Sequence, residues 1–210
     1  MIKLIIFDLD GTLVNAYRAV EISLNLSLKK FGYSPVNLDM VRRSVGWGDR
    51  NLIKKFVKEK EVERILKFYR RHHKTSLLKY SRVIPGAKKA LSIFKKRGYK
   101  LAIVSNRPRR FTDILLRHLR LRAYFDAVAC GRNKLDLKPH PTLLRRVMKN
   151  VAVSPKEVFY VGDMVIDIQA GRKAGVKTIA VSGGSSYRRE LMRKEPFKLI
   201  GSIRDLLKII

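Results

Sequence analysis

The chain has 210 residues, of which 47 are Lys or Arg and 17 are Asp or Glu, giving a formal net charge of +30. A hydrophobic content of 46% excludes wholesale disorder, and the length predicts one domain or one domain with a sizeable insertion. So large a positive charge points to anionic partners, whether phosphate esters, nucleic acid or a membrane surface, and says nothing of the fold.

The first segment, Lys3-Leu-Ile-Ile-Phe7, is an apolar run that stops abruptly at Asp8-Leu-Asp-Gly-Thr12. It is too short for a signal-peptide core and reads as a strand buried on both faces. Residues 15–82 then show no strand pattern. Ala16 to Phe31 is one long amphipathic helical pattern ending at Gly32, and Leu38 to Val45 is a shorter one. Leu52 to Leu78 carries Ile53, Phe56, Val57, Val62, Ile65, Leu66 and Tyr69 at helical spacing. Arg82-Val-Ile-Pro-Gly86 returns the chain to alternation. A helix over Gly86–Arg97, stopped by Gly98, precedes a strand at Lys100–Ser105. A helix over Arg109–Leu119 precedes a strand at Ala127–Cys130. A helix starting at Pro141 and running to about Asn150 precedes a strand at Glu157–Val161, and a helix over Asp167–Ala174 precedes one at Lys177–Val181. Tyr187-Arg-Arg189 reads as a surface turn. These alternating lengths imply right-handed βαβ units and a doubly wound parallel sheet. The expected architecture is a Rossmann-like α/β core of residues 1–14 and 83–210 with an all-helical cap over 15–82. No apolar stretch approaches the roughly 18 residues of a membrane span. The single cysteine, Cys130, excludes an intramolecular disulfide, suits the reducing cytoplasm and reads as a small core residue.

In open α/β sheets ligands bind at the carboxyl ends of the strands. The first strand delivers Asp8 and Asp10 there, a later one Ser105 and Asn106, and another Asp163; Asp167 follows one helical turn on. Carboxylates brought together in this way are unfavourable unless a cation or a proton intervenes, and a hard divalent ion with oxygen ligands, Mg²⁺ where phosphate is the partner, is the natural solution. Lys138, in Lys138-Pro-His-Pro141, supplies a positive point charge for a phosphoryl oxygen, and the Ser105 hydroxyl and Asn106 amide are donors for the same group. Gly11 permits a tight turn after Asp10. Metal, cation, donors and a carboxylate nucleophile together make a phosphoryl-transfer site.

Four motifs in order, Asp8-Leu-Asp10-Gly11-Thr12, Ser105-Asn106, Lys138-Pro139 and Gly162-Asp163-Met-Val-Ile-Asp167, resemble those of the haloacid dehalogenase-like (HAD) hydrolases. The helical insertion between the first two resembles the small cap of the phosphoglycolate phosphatase-like branch. The resemblance implies Asp8 as nucleophile, forming an aspartyl-phosphate, and Asp10 as general acid and base. It implies Mg²⁺ held by Asp8, the backbone carbonyl of Asp10 and Asp163, with Asp167 supporting, and Ser105 and Lys138 holding the phosphoryl group. An acid at position 10 argues against halide displacement and phosphonate hydrolysis; phosphoryl transfer to a second hydroxyl, as in the sugar phosphomutases, keeps it and remains an alternative. Asn15 and Ile166 depart from the family's usual acids and amides.

Substrate choice is expected from the cap loop Val45-Gly-Trp-Gly-Asp-Arg50, with Trp47 presenting a flat side chain and Arg50 binding a substrate carboxylate; the competing reading is a hydrophobic anchor with a solvated arginine. Arg70-Arg-His-His-Lys74 reads as a solvated helix face and His140 as a loop residue. The expected partner is a small phosphorylated metabolite, phosphoglycolate or a similar phospho-acid. Charge alone supports a nucleic-acid-binding or nucleic-acid-end-processing role, without the aromatic interleaving of a base-stacking surface. The excess is also spread: residues 15–82 carry 17 basic and 6 acidic side chains, and the rest carry 30 and 11.

Overall fold

The computed structural model describes residues 1–131 and 136–210. In chain order the elements are β1 (Leu4–Phe7), β2 (Val14–Asn15), α1 (Tyr17–Lys30), α2 (Leu38–Ser44), α3 (Asp49–Lys54), α4 (Val62–Tyr80), β3 (Arg82–Val83), α5 (Ala87–Lys96) and β4 (Lys100–Ser105). There follow α6 (Arg109–His118), β5 (Ala127–Cys130), α7 (Thr142–Val151), β6 (Val158–Gly162), α8 (Val165–Ala174), β7 (Lys177–Val181), α9 (Arg188–Met192) and β8 (Lys198–Ile200).

Six strands form one parallel sheet in the order β5-β4-β1-β6-β7-β8. Successive side chains of a strand point to opposite faces, and here both faces are covered. Ile5 and Phe7 of β1 enter one apolar cluster, built with α5 and α6, and Leu4 and Ile6 enter another, built with α7 and α8. The division repeats in β4 (Leu101 and Ile103 against Ala102 and Val104) and in β6 (Phe159 and Val161 against Val158 and Tyr160). Burial on both faces is why these strands read as continuous apolar runs. From β1 the chain winds outward through β4 and β5, then crosses back to β6 on the other side. The carboxyl ends of β1, β4 and β6 therefore meet where the winding reverses, with Phe7 in register with both Ile103 and Val161.

Helices α1 to α4 leave and rejoin the core through a two-stranded antiparallel ribbon, with Val14 opposite Val83 and Asn15 opposite Arg82. Both ends of the expected cap segment thus lie in strands too short to show a pattern. The helices bury a cluster of their own, including Leu24, Leu28, Ile53, Ile65 and Leu66. Ala16 and Ala19 at the start and Leu77 at the end belong to the core cluster and anchor the unit. The single helical pattern expected over Leu52–Leu78 is broken between α3 and α4, where the Lys58 N–H donates to the Tyr33 hydroxyl at 3.0 Å. Besides the ribbon strands β2 and β3, strand β8 and helix α9 were not expected from the sequence. Strand β8 has only three residues, and α9 occupies the expected turn at 187–189 because Leu191 buries against Ile168 and Ala180. Among the described residues, no helix is long and apolar enough to cross a membrane.

Candidate active site

The strand ends place Asp8 after β1, Ser105 at the end of β4 and Asp163 after β6; α8 places Asp167 in its first turn. Asp8, Asp163 and Asp167 are buried, with one oxygen of each within 4.8 Å of the others. Lys138 enters this cluster from the segment before α7. Its ammonium donates to Asp8 Oδ1 at 2.5 Å, Asp167 Oδ1 at 2.7 Å and the Tyr160 hydroxyl at 3.1 Å, which accounts for its three N–H groups. Tyr160 in turn donates to Asp167 Oδ1 at 2.6 Å. The other oxygen of Asp167 accepts the Met164 N–H at 2.9 Å, so the residue caps its helix and serves the cluster at once. Asp163 is fixed by the Thr12 hydroxyl (2.9 Å) and the Ser185 N–H (2.6 Å). Gly11, at φ +88°, is required: a Cβ there would collide with the Asp163 carboxylate and the Tyr17 hydroxyl.

Three buried carboxylates face one ammonium. Burial raises the Asp8 carboxyl well above the usual range; Lys138 opposes this, and Asp167 and Asp163 add to it. Burial, and then Asp167, push Asp163 up to about 7. Burial works against the Lys138 charge, but Asp167 and Asp8 outweigh it and raise its pKa. Tyr160 is driven well above its ordinary value by burial and Asp167, which keeps it a donor. An all-oxygen, buried donor set with an excess of negative charge fits a hard divalent cation, and the cluster can hold a metal ion.

The side chain of Asp10 does not join this cluster. Both of its oxygens accept from Arg107, from Nε at 2.8 Å and from Nη2 at 2.8 Å, in a fork-to-fork pair. Burial opposes the Arg107 charge and Asp10 more than offsets that. The remaining terminal nitrogen, Nη1, lies 2.9 Å from His73 Nε2 on α4. Ser23 fixes the histidine tautomer. Its hydroxyl donates to the Ala19 carbonyl, so His73 Nδ1 at 2.9 Å must donate to Ser23 Oγ, and Nε2 is left to accept from Arg107 and from the Tyr69 hydroxyl at 3.2 Å. Burial and Arg107 hold His73 well below its ordinary pKa, in the neutral form this chain of bonds requires.

Neither Arg107 nor His73 was singled out by sequence. His73 belongs to the run read as a solvated face, yet it is buried, and Arg70 in the same run pairs bidentately with Asp49 at 2.7 and 2.9 Å. The available signal was spacing: His73 lies four residues after Tyr69 and continues the apolar face of α4.

Ser105 is buried and lines the cavity, its Oγ accepting the Arg107 N–H at 3.1 Å. Asn106, expected to donate to a phosphoryl group, is committed elsewhere. Its amide donates to the Gly46 carbonyl (2.8 Å) and the Lys138 carbonyl (3.0 Å), and its oxygen accepts the Lys138 N–H (2.8 Å). It ties the cap loop to the lysine segment. Val45, Gly46, Gly48 and Asp49 of that loop line the cavity, whereas Trp47 is 38% exposed outside it. Arg50 lies on the outer surface, bound to Glu63 at 2.6 Å and Glu59 at 3.1 Å. The cavity between cap and core measures about 60 Å³.

A family model described as haloacid dehalogenase-like hydrolase matches residues 5–181. A phosphoglycolate phosphatase of Aquifex aeolicus is 33% identical over 176 residues, covering 84% of this chain and 83% of the relative. Phosphoglycolate phosphatase 1 of Pseudomonas aeruginosa is 31% identical, covering 98% of this chain and 78% of the relative. Among solved structures, a predicted phosphoglycolate phosphatase from Haemophilus somnus superposes with a TM-score of 0.92 at 27% identity, covering 99% of this chain and 97% of that one. With the six-stranded parallel sheet, the helical cap and the motifs at the strand ends, these matches establish that the chain belongs to the haloacid dehalogenase-like hydrolase family.

Proposed function

We propose that the protein is a Mg²⁺-dependent phosphatase that hydrolyses a small phosphate monoester, phosphoglycolate or a similar phospho-acid, through an aspartyl-phosphate on Asp8. The observation that carries this reading is the buried cluster of Asp8, Asp163, Asp167 and Lys138 at the carboxyl end of the sheet. Relatives named phosphoglycolate phosphatase over most of the chain support the substrate class. Asp8, the Asp10 carbonyl and Asp163, with Asp167 behind, are the groups to hold Mg²⁺, whose charge supplies electrostatic relief between an anionic nucleophile and an anionic phosphoryl group. Lys138 and Ser105 orient the phosphoryl oxygens. A carboxylate oxygen of Asp8 attacks phosphorus in line, and Asp10 gives a proton to the departing alkoxide. A water then replaces the alkoxide, loses its proton to Asp10 and cleaves the acyl phosphate.

Hydrolysis of p-nitrophenyl phosphate with and without Mg²⁺ tests the mechanism. The wild type is expected to turn over only with the metal, and Asp8→Asn to lose activity by at least about 10³-fold while melting as a folded protein. Full activity in Asp8→Asn would sink the covalent route.

A further inference from the structure

Two strongly basic side chains, Lys138 and Arg107, line the cavity among the described residues. Lys138 serves the carboxylate cluster and Tyr160, and the phosphatase reading already gives its ammonium to the phosphoryl oxygens. Arg107 is different. It presents a planar fork to a carboxylate, and that carboxylate belongs to Asp10, a residue the phosphatase reading places at the reacting oxygen during turnover. The fork is directed from behind. His73 accepts the third contact, and Ser23 sets the His73 tautomer. Both residues sit on cap helices, so Arg107 is fully oriented only with cap and core together. The neighbouring walls, Val20, Val45, Leu52 and Phe111, are apolar and offer an anionic group nothing. Arg50, the cap arginine that sequence offered for this task, is held on the outer surface by two glutamates.

We propose that Arg107 is the residue that selects substrates bearing a carboxylate: its guanidinium fork, closed on Asp10 in the free protein, transfers to the carboxylate of the substrate, and this exchange releases the Asp10 side chain toward the phosphoryl group. The proposal rests on the phosphatase reading and adds a residue and a sequence of events to it. One carboxylate replaces another on the same fork, so the Arg107 charge stays paired, and Asp10, released from the guanidinium, takes from solvent the proton it later gives to the alkoxide; an ester without an acid group leaves Asp10 engaged. Selectivity therefore shows in kcat as well as in KM. His73 acts through Arg107 as a positioning residue.

The test compares phosphoglycolate with phosphoglycolamide, which replaces the carboxylate by a neutral amide of nearly the same shape. The wild type is expected to prefer the acid by roughly 100-fold in kcat/KM, because with the amide the fork stays on Asp10 and holds it away from the leaving oxygen. Arg107→Gln should bring the ratio to within about threefold, Arg107→Lys should leave an intermediate ratio, and His73→Leu should lower it by roughly tenfold. The ratio is taken within each variant, so a reduced folded fraction cancels. A wild-type ratio near one, or equal losses on both substrates in Arg107→Gln, overturns the proposal. If the wild type hydrolyses p-nitrophenyl phosphate and the ratio is unmoved, only the role of Arg107 falls. If it hydrolyses no phosphate monoester, the phosphatase reading falls and takes this proposal with it.

Discussion

Residue by residue, the candidate site is an arrangement of buried charge in two separate circuits. One joins Lys138 to Asp8, Asp167 and Tyr160; the other runs from Asp10 through Arg107 and His73 to Ser23. The second has a measurable signature in stability. His73 is neutral in the fold, its pKa held well below the ordinary value, whereas in the unfolded chain it titrates near 6.5. Below about pH 6.5 the unfolded chain therefore binds the extra proton, and stability falls as pH falls. Between pH 7 and pH 5 the wild type is expected to lose about 2 kcal/mol more than His73→Gln, read from urea midpoints. Equal losses would show that His73 is not held neutral. The acids of the first circuit were legible in the sequence because Asp8 follows an apolar strand and Asp167 lies one helical turn beyond Asp163, which follows another. Arg107 and His73 were not, because in a chain with 47 basic residues one more arginine and one histidine in a basic run carry no contrast.

At the scale of elements, the strands that read clearly are those buried on both faces, and the helices that read clearly have a full apolar stripe, as in α5 with Ala87, Ala90, Leu91 and Phe94. The ribbon of β2 and β3 and strand β8 were invisible because two or three residues show no period. Their existence depends on partners distant in sequence. The segment from Val45 to Arg50 was recognised as part of the site, but its orientation was not: Val45, Gly46, Gly48 and Asp49 line the cavity, and Trp47 and Arg50 do not. Gly46 is the reason the loop lies so close. It has φ +94°, and a Cβ would strike the Met164 sulfur. Gly46→Ala should cost about 1–2 kcal/mol of backbone strain and lower kcat/KM by holding the loop off the core. Met164→Ala in the same chain should restore part of the activity and none of the strain. Undiminished kcat/KM in Gly46→Ala would show that this close approach is not needed for turnover.

For the molecule as a whole, the net charge of +30 understates the basicity of the surface, since Asp8, Asp163 and Asp167 are buried with only Lys138 among them. The excess covers cap and core alike, a distribution that attracts anions without specifying one. If it steers a phosphorylated acid into the cleft, kcat/KM should fall severalfold between about 0.05 and 0.5 M NaCl while kcat holds steady. A kcat/KM indifferent to salt would assign the charge to some other purpose. Retention on duplex DNA that disappears steeply over the same range would reveal counterion release at phosphates and revive a polyanion as partner.

The ribbon at the base of the cap has a consequence for how such a protein can diversify. Val14 stands opposite Val83 and Asn15 opposite Arg82, so about 66 intervening residues begin and end at neighbouring points. To the six-stranded sheet that whole excursion is one elaborated hairpin turn. Its length and composition can change without shifting the register of β1 against β4 or β6, on which the carboxylate cluster depends. The Arg107 fork issues from the end of β4 and its brace from the excursion, so a lineage can replace the brace while inheriting the sheet and its carboxylate cluster intact.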